Sequence, residues 1–257
     1  MNVSSKLVLL KIGGNLASPK DKFREVDYRN IEEVVKVIKY KFNQGYNFII
    51  LHGGGSHAHT PSRCYGLTRI LYKDNALGLS LTKLLLKELN LEICKIFIRY
   101  GLPILMFDTC SLIRHDNTLD LHVIDEAIKS RFIPILHGDI TVIEHRSFII
   151  SSDDLALILA KKYRPDITIF IIRERGIVDR YGNTIRRVTP DILKDLMKTE
   201  ENMNYVDVTG GIMKKLNVCF EISKICKVYI CPPEFECLCS CIDGFECDRC
   251  SLIETSN

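Results

Sequence analysis

The chain has 257 residues, of which 46% are hydrophobic and 26% are charged. This composition matches that of soluble globular proteins and excludes wholesale disorder. The 35 Lys and Arg residues nearly balance the 32 Asp and Glu residues, so we expect neither a nucleic-acid-binding face nor an acidic tail. No apolar run approaches the roughly 20 residues that span a bilayer, and the N-terminus lacks the cleavage site of a signal peptide. These features predict a cytoplasmic protein without nucleic-acid or membrane partners.

Short apolar runs alternate along the chain with segments of helical periodicity. The predicted strands cover residues 7–12, 47–51, 103–107, 133–136, 167–172 and 228–230. The predicted helices cover residues 28–44, 75–90, 123–129, 152–163 and 210–225, and residues 141–150 are predicted to form a hairpin. Asp27 and Ser152 are the expected N-caps of two of these helices, and Gly45 is a stop signal for the first.

Strands that alternate with helices predict an α/β fold, in which helices cover both faces of a mostly parallel sheet. We therefore expect a three-layer αβα sandwich with a mostly parallel central sheet. The main domain is expected over residues 1–230, with a seam near 163–166 between two lobes. A cysteine-rich segment over residues 231–257 is expected to close the same domain.

Glycine clusters stand at three predicted turns into helices, namely residues 13–14, 53–55 and 210–211. In a parallel sheet such turns lie at the carboxyl edge, where ligands bind. Glycine lets the backbone approach an oxyanion, and the following helix N-terminus offers free N–H groups. A single glycine pair can serve a tight turn alone, but three clusters favour a site for several phosphates. The sequence contains neither GxxxxGK[ST] nor GxGxxG, which disfavours a Walker-type NTPase and a Rossmann dehydrogenase.

Charged residues accompany these glycines. Lys11 ends the first strand, Lys20 follows in the next loop, and Lys215 lies in the first turn of the last long helix. Phosphoryl transfer requires fixed cations around the transferred group, although any single lysine could be a solvated surface charge. Asp153 and Asp154 begin a predicted helix, where they could orient the lysines, hold Mg²⁺ or complement the helix dipole.

Three histidines, His52, His57 and His59, flank the glycines at 53–55. Their spacing alone would fit zinc, but no cysteine or carboxylate lies nearby at ligand spacing. A histidine that donates a hydrogen bond to a bound phosphate is the better interpretation.

Four motifs follow one another between residues 6 and 230. They are Lys11-Ile12-Gly13-Gly14, His52-Gly53-Gly54-Gly55-Ser56 with His59, Ser152-Asp153-Asp154, and Asp207-Val208-Thr209-Gly210-Gly211 with Lys215. Together they resemble the amino acid kinase superfamily and, within it, the isopentenyl phosphate kinases. The resemblance implies transfer of a phosphoryl group from ATP to isopentenyl phosphate, with Mg²⁺ entering on ATP and no protein metal ligands assigned. It also implies a homodimer.

The resemblance implies roles for residues at matching positions. The implied catalytic residues are Lys11, Lys20, His59 and Asp153. The implied ATP-binding residues are Lys11, Gly13, Gly14, Asn15, Gly55, Thr209, Gly210, Gly211 and Lys215. The implied acceptor-binding residues are Gly54, His59 and Ser152. No side chain would form a covalent intermediate, because the acceptor phosphate oxygen attacks in line.

The sequence departs from the family pattern in four places. His57-Ala58 replaces Phe-Gly, Asn15 replaces Ser, and Ser152 replaces Gly. The segment 172–176 replaces the Thr-Asp-Val-Asp-Gly that contacts the nucleoside, and it introduces Arg173 there. Two alternatives therefore stay open: a catalytically impaired binding protein with the kinase fold, and a kinase of another phosphate or phosphonate.

Six cysteines crowd into the last part of the chain, namely Cys231, Cys237, Cys239, Cys241, Cys247 and Cys250. Cys-x-x-Cys at 247–250 is a good half-site for zinc. The alternative interpretations are buried thiols that act as small hydrophobic side chains and regulatory disulfides.

Overall fold

The computed structural model of the chain describes residues 6–67, 70–71, 76–114, 118–143, 146–200 and 210–255. The strands are β1 (Leu7–Ile12), β2 (Asn47–His52), β3 (Ile70–Leu71), β4 (Ile104–Met106), β5 (Ile133–His137), β6 (Asp139–Ile143), β7 (Arg146–Ile150), β8 (Ile167–Ile171), β9 (Arg187–Val188), β10 (Lys227–Cys231) and β11 (Ser251–Ile253). The helices are α1 (Gly14–Ala17), α2 (Tyr28–Asn43), α3 (Gly55–Cys64), α4 (Ala76–Arg99), α5 (His122–Lys129), α6 (Ser152–Tyr163), α7 (Pro190–Glu200), α8 (Gly210–Ser223) and α9 (Phe235–Asp243).

The central sheet has eight strands in the order β4-β5-β2-β1-β8-β10-β11-β9. The pairs from β4 to β10 are all parallel, and β11 runs antiparallel to β10. A second, antiparallel sheet is formed by β3, β7 and β6. Because β1, β2, β8 and β10 are parallel neighbours, the loops after them lie at one edge of the sheet.

Side chains on alternate positions of β1 face two separate cores. Val8, Leu10 and Ile12 pack with the buried faces of α2, α4 and α9. Leu9 packs on the other side, with residues of α5, α6 and α8. Strands buried on both faces explain the continuous apolar runs of the sequence. The predicted α/β sandwich with a mostly parallel sheet is therefore confirmed.

Two predicted elements need correction. The N-cap of α6 is Ser151 rather than Ser152, because the Ser151 hydroxyl accepts a hydrogen bond from Asp154 N at 3.1 Å. Helix α4 extends to Arg99, nine residues beyond the predicted end. Its buried stripe continues through Ile93, Ile96 and Phe97, so tertiary packing lengthens the helix past the predicted stop.

Other predicted elements lie where the sequence places them. The Asp27 carboxylate accepts from Asn30 N at 3.1 Å and caps α2, and Gly45 follows that helix with a φ of +97°. The predicted hairpin is formed by β6 and β7. Within the described ranges, no helix is both long and apolar enough to cross a membrane.

The C-terminal segment joins the central sheet and one helical layer. Strand β11 pairs with β10 and β9, while α9 packs against α2. Lys41 of α2 is only 4% exposed, and its ammonium lies 2.7 Å from both carboxylate oxygens of Asp243. The Tyr46 hydroxyl also donates to Asp243, at 2.9 Å. A buried ammonium without its carboxylate would be strongly destabilising, so this contact fixes α9 on α2.

Candidate active site

Two glycine loops meet at the carboxyl edge of β1 and β2 with no room for side chains. A Cβ atom on Gly14 would lie 2.6 Å from Gly55 N, and one on Gly53 would lie 2.8 Å from Gly14 N. Gly55 has a φ of +49°, and a Cβ there would overlap Ser18 O. The loops therefore pack backbone against backbone, which brings the N-termini of α1 and α3 together and concentrates N–H groups suited to anions.

A buried carboxylate links two lysines beside these loops. The Lys11 ammonium, from the end of β1, lies 2.8 Å from Asp153 Oδ1. Lys215, in the first turns of α8, lies 3.5 Å from the same oxygen. The exposed fractions of Lys11, Asp153 and Lys215 are 4%, 16% and 13%. Elements distant in the chain thus place two cations and one anion in a single buried cluster.

Charges within this cluster shift the pKa values of Asp153 and Lys215. Burial opposes the charge of Asp153, but Lys11 and Lys215 outweigh it and hold the pKa of Asp153 far below its usual range. Burial, together with the charge of Lys11, lowers the pKa of Lys215 to about 8. The cluster keeps a net positive charge at neutral pH, which suits a polyphosphate.

A second ion pair flanks the cluster at the start of α6. Lys214 lies 2.7 Å from Asp154 Oδ2 and 2.9 Å from Ser151 Oγ. The adjacent lysines 214 and 215 therefore hold the adjacent aspartates 154 and 153, which fixes α8 against the N-terminus of α6. Gly210 and Gly211 begin α8, and Thr209, which the resemblance assigns to ATP, lies outside the described residues.

The loop after α1 presents Lys20 on the solvent side of the same edge. Lys20 is exposed, and its backbone N donates to Asn15 Oδ1 at 3.0 Å. The amide at position 15, where the family pattern has Ser, therefore closes this loop. Ser18 Oγ lies 2.8 Å from His57 Nδ1 and 2.6 Å from Ser56 Oγ, which joins the loop to α3.

The three histidines around the glycine triplet have different environments. His52 is fully buried and its Nε2 lies 3.0 Å from Asn90 Oδ1. His57 is also buried and is bonded to Ser18. His59 is exposed to solvent. Partial burial of its ring and the positive charges of the nearby lysines 20 and 11 lower its pKa, so the ring is neutral at pH 7 and keeps one N–H donor.

The other residues that the resemblance assigns to the acceptor lie beside the glycine loops. The hydroxyl of Ser152 is 3.6 Å from the place of a Cβ on Gly53, and the side chain is 6% exposed. A Cβ on Gly54 would overlap Ala58 and would lie 2.8 Å from Leu86. The structure thus brings Gly54 and Ser152 to the edge that also carries the lysine cluster.

Sequence reasoning missed a polar network next to this edge. Lys83 of α4 lies 2.8 Å from both Asp139 Oδ1 and Cys110 Sγ. Lys87 lies 2.7 Å from Asp108 Oδ2, and the buried His137 Nε2, 4.0 Å from Asp108 Oδ1, makes no hydrogen bond in the part of the chain described. The sequence signal that could have indicated this network is the pair Gly138-Asp139, which directly follows a predicted buried strand.

Asp108, His137 and Asp139 offer ligand atoms within 4.8 Å of one another. The lysine ammonium groups already neutralise both carboxylates, so we assign no metal to this network.

The altered segment 172–176 contacts both helix α2 and the C-terminal part of the chain. Arg173 Nη2 lies 2.5 Å from Asp27 Oδ2, so the guanidinium braces the loop after β8 against the N-terminus of α2. On the other side of this loop, Gly176 N donates to Arg249 O at 2.8 Å.

Comparisons with known proteins agree with this arrangement. Residues 6–232 match the model of the Amino acid kinase family. An isopentenyl phosphate kinase of Thermoplasma acidophilum is 28% identical over 215 residues, which cover 81% of this chain and 84% of that protein. An isopentenyl phosphate kinase of Methanocaldococcus jannaschii is 25% identical over 224 residues, which cover 82% of this chain and 86% of that protein.

A solved structure has the same fold. The crystal structure of the T. acidophilum isopentenyl phosphate kinase product complex gives a TM-score of 0.79 at 23% identity, and the match covers 96% of this chain and 99% of that one. The resemblance seen in the motifs is confirmed by the family match, which extends over most of the sequence. The chain belongs to the amino acid kinase family.

Proposed function

We propose that the protein is an ATP-dependent kinase that converts isopentenyl phosphate and ATP to isopentenyl diphosphate and ADP. The observation that carries this proposal is the buried Lys11–Asp153–Lys215 cluster beside the interlocked glycine loops. Such a site neutralises polyphosphate charge with groups that are already fixed, which is the main requirement of phosphoryl transfer. The relatives named isopentenyl phosphate kinase support the choice of acceptor.

The reaction needs no covalent protein intermediate. A phosphate oxygen of the acceptor attacks the γ-phosphorus of ATP in line, the bond to the bridging oxygen breaks, and ADP leaves with the electron pair. Lys11 and Lys20 stabilise charge on the transferring group, while Asp153 positions Lys11 and Lys215. The groups that bind the nucleotide are Lys215, the N-terminus of α8 with Thr209, Gly210 and Gly211, and the loops with Gly13, Gly14, Asn15 and Gly55.

Mg²⁺ enters this scheme on the triphosphate. Asp153 is held by two ammonium groups and Asp154 by Lys214, so these carboxylates already have their counter-charges and we assign neither as a metal ligand. Mg²⁺ would neutralise phosphate oxygens, and the lysines would supply the remaining positive charge.

The acceptor phosphate is proposed to bind between Gly54, Ser152 and His59. The neutral ring of His59 donates N–H to a phosphate oxygen, and Ser152 offers a buried hydroxyl close to Gly53. The close packing of Gly54 against Ala58 and Leu86 keeps that backbone at the phosphate.

A second candidate acceptor is a phosphate or phosphonate with a polar body. The network of Lys83, Cys110 and Asp139 favours it, because Lys83 lies one turn from Leu86, which packs on Gly54. A coupled ADP-release assay that compares isopentenyl phosphate with polar monophosphates and phosphonates decides between the two. ATP binding without turnover of any acceptor would instead support an impaired binding protein.

A homodimer in the cytoplasm is part of the same proposal. Leu77, Leu84, Leu91 and Ile98 are 72%, 57%, 46% and 59% exposed and follow one another at seven-residue spacing along α4. An exposed apolar stripe with this spacing can pack against the same stripe on α4 of a second copy of the chain. We expect light scattering to give twice the chain mass, and Leu91→Glu to give a monomer, whereas Tyr181→Glu on an exposed turn should not. A monomeric wild type at micromolar concentration would contradict this proposal.

Lys11 and Lys20 are expected to be essential for turnover. Removal of one charge-stabilising group costs ~2.7–4 kcal/mol in the transition state, so Lys11→Ala and Lys20→Ala should each lower kcat at least ~10²-fold. Lys22→Ala is the matched control, because Lys22 belongs to the same loop but is 55% exposed and paired with Glu25. Near wild-type turnover of Lys20→Ala would refute the assignment, since this exposed residue can be removed without unpairing a buried charge.

His59 is expected to serve the acceptor rather than ATP. His59→Ala should raise the acceptor KM or lower kcat with little change in ATP affinity, and His59→Gln should restore part of the loss because it keeps an N–H donor. Steady-state kinetics with each substrate varied in turn, and calorimetry of ATP binding, measure the two effects. An equal loss of ATP affinity in His59→Ala would assign this loop to the nucleotide.

ATP binding is expected to weaken as the pH rises through about 8, the pKa to which burial and Lys11 lower Lys215. The charged ammonium is the binding form, so a bound triphosphate raises this pKa and binding takes up a proton above pH 8. Calorimetry in buffers of different ionisation enthalpy measures that uptake. Lys215→Arg, which stays charged, should remove the uptake. No buffer dependence at pH ~8.5 in the wild type would exclude this role of Lys215.

A further inference from the structure

Cysteines of helix α9, of the loop before β11 and of the end of β10 lie close together. Cys237 and Cys241 lie one turn apart on the same face of α9. Cys247 and Cys250 stand in the loop before β11, and Cys231 ends β10. Cys241 and Cys250 are fully buried, and Cys237 is 6% exposed.

Three of the sulfur atoms are close enough to share one metal ion. The Sγ atoms of Cys237, Cys241 and Cys247 all lie within 4.8 Å of one another, and the thiols of Cys241 and Cys250 are close neighbours. In a tetrahedral zinc site with Zn–S bonds of ~2.3 Å, neighbouring sulfurs are ~3.8 Å apart. Cys250 lies outside this group of three, so its sulfur must move closer to complete a four-sulfur site.

The loop 247–250 is a tight turn in which Cys250 N donates to Cys247 O at 3.2 Å. Cys247 N donates to Cys250 Sγ at 3.1 Å, and the Cys250 thiol lies 3.2 Å from Cys247 O. Packing of thiols as small hydrophobic groups explains a single buried cysteine, but it does not require a helix face and a Cys-x-x-Cys turn to converge.

We propose that the reduced chain binds one Zn²⁺ through Cys237, Cys241, Cys247 and Cys250. The structure joins Cys237 and Cys247 in a disulfide, which must first be reduced. Two molecules of a small thiol reduce this disulfide to two protein thiols and are themselves oxidised to one small-molecule disulfide. Zn²⁺ then displaces four thiol protons, which are released to solvent as the four Zn–S bonds form.

The ion would be structural and would fix the loop after β8. Arg249 O accepts from Gly176 N at 2.8 Å, and Ser251 Oγ accepts from Ile177 N at 2.8 Å. A Cβ on Gly176 would overlap Ser251 Oγ. The turn at 247–250 therefore supports segment 172–177, and the zinc would connect that support to α9.

Metal analysis of the full chain tests the proposal. Protein purified with a phosphine reductant and no chelator, and supplied with equimolar Zn²⁺, should retain about one zinc per chain after gel filtration. X-ray absorption should show sulfur ligands at ~2.3 Å, and Co²⁺ in place of zinc should give the intense visible bands of a tetrahedral thiolate site. Zinc release by a chelator should lower the melting temperature.

Cysteine variants assign the ligands. Cys241→Ser and Cys250→Ser should lose most of the zinc, whereas Cys239→Ser on the same helix and Cys231→Ser beside Cys241 should retain it. A reduced wild type without zinc, or one whose Cys237–Cys247 disulfide persists in the reductant by mass spectrometry, would overturn the proposal. Equal zinc loss in Cys239→Ser would overturn the ligand set. The wild-type measurements decide the question even where a Ser variant fails to fold.

Discussion

The arrangement of the site depends on one buried carboxylate between two lysines. Asp153 lies 2.8 Å from Lys11 and 3.5 Å from Lys215, and without it two ammonium groups would face each other in a poorly solvated space. Two cations and one anion leave a charge of +1, enough to attract a polyphosphate without an unpaired buried lysine in its absence. The same contact joins β1, α6 and α8, so the geometry of the site and the packing of these three elements depend on each other.

The second constraint is steric. A Cβ atom added at Gly14 or at Gly53 would lie less than 3 Å from the backbone of the other loop. The loops after β1 and β2 can therefore pack in this way only if these positions are glycine. These loops are adjacent because β1 and β2 are paired in parallel from Leu7–Asn47 to Ile12–His52. Strand register therefore determines where backbone N–H groups meet the lysine cluster.

Much of this architecture follows from local sequence patterns, and the remainder depends on pairings between distant residues. Apolar runs buried on both faces predict the parallel strands, and the glycine clusters predict that Lys11 and Lys215 lie at the edge where these strands end, with Asp153 as a candidate to orient them. The glycine cluster at 53–55 predicts that a helix follows it, but the bounds of α3 could not be predicted, because this helix begins with glycine and contains Pro61. The contact of Arg173 with Asp27 spans 146 positions. The Lys83–Asp139 pair links α4 to the first residue of β6, and these two elements share no sequence motif.

The segment 172–176 departs from the family pattern, but its residues make contacts that hold neighbouring parts of the fold together. Arg173 is neutralised by Asp27, the residue that also caps α2, so its charge tightens the connection between β8 and that helix. From the other side, Arg249 O holds Gly176 N. A guanidinium cannot accept a hydrogen bond from a ribose hydroxyl or a base amine, so under the proposed function Arg173 would offer the nucleoside no acceptor. Under the proposed function the buried lysines would hold the phosphates, and preorganised cations cost no reorganisation during transfer. Under the proposed function, nucleotide affinity in this chain therefore resides mainly in the triphosphate.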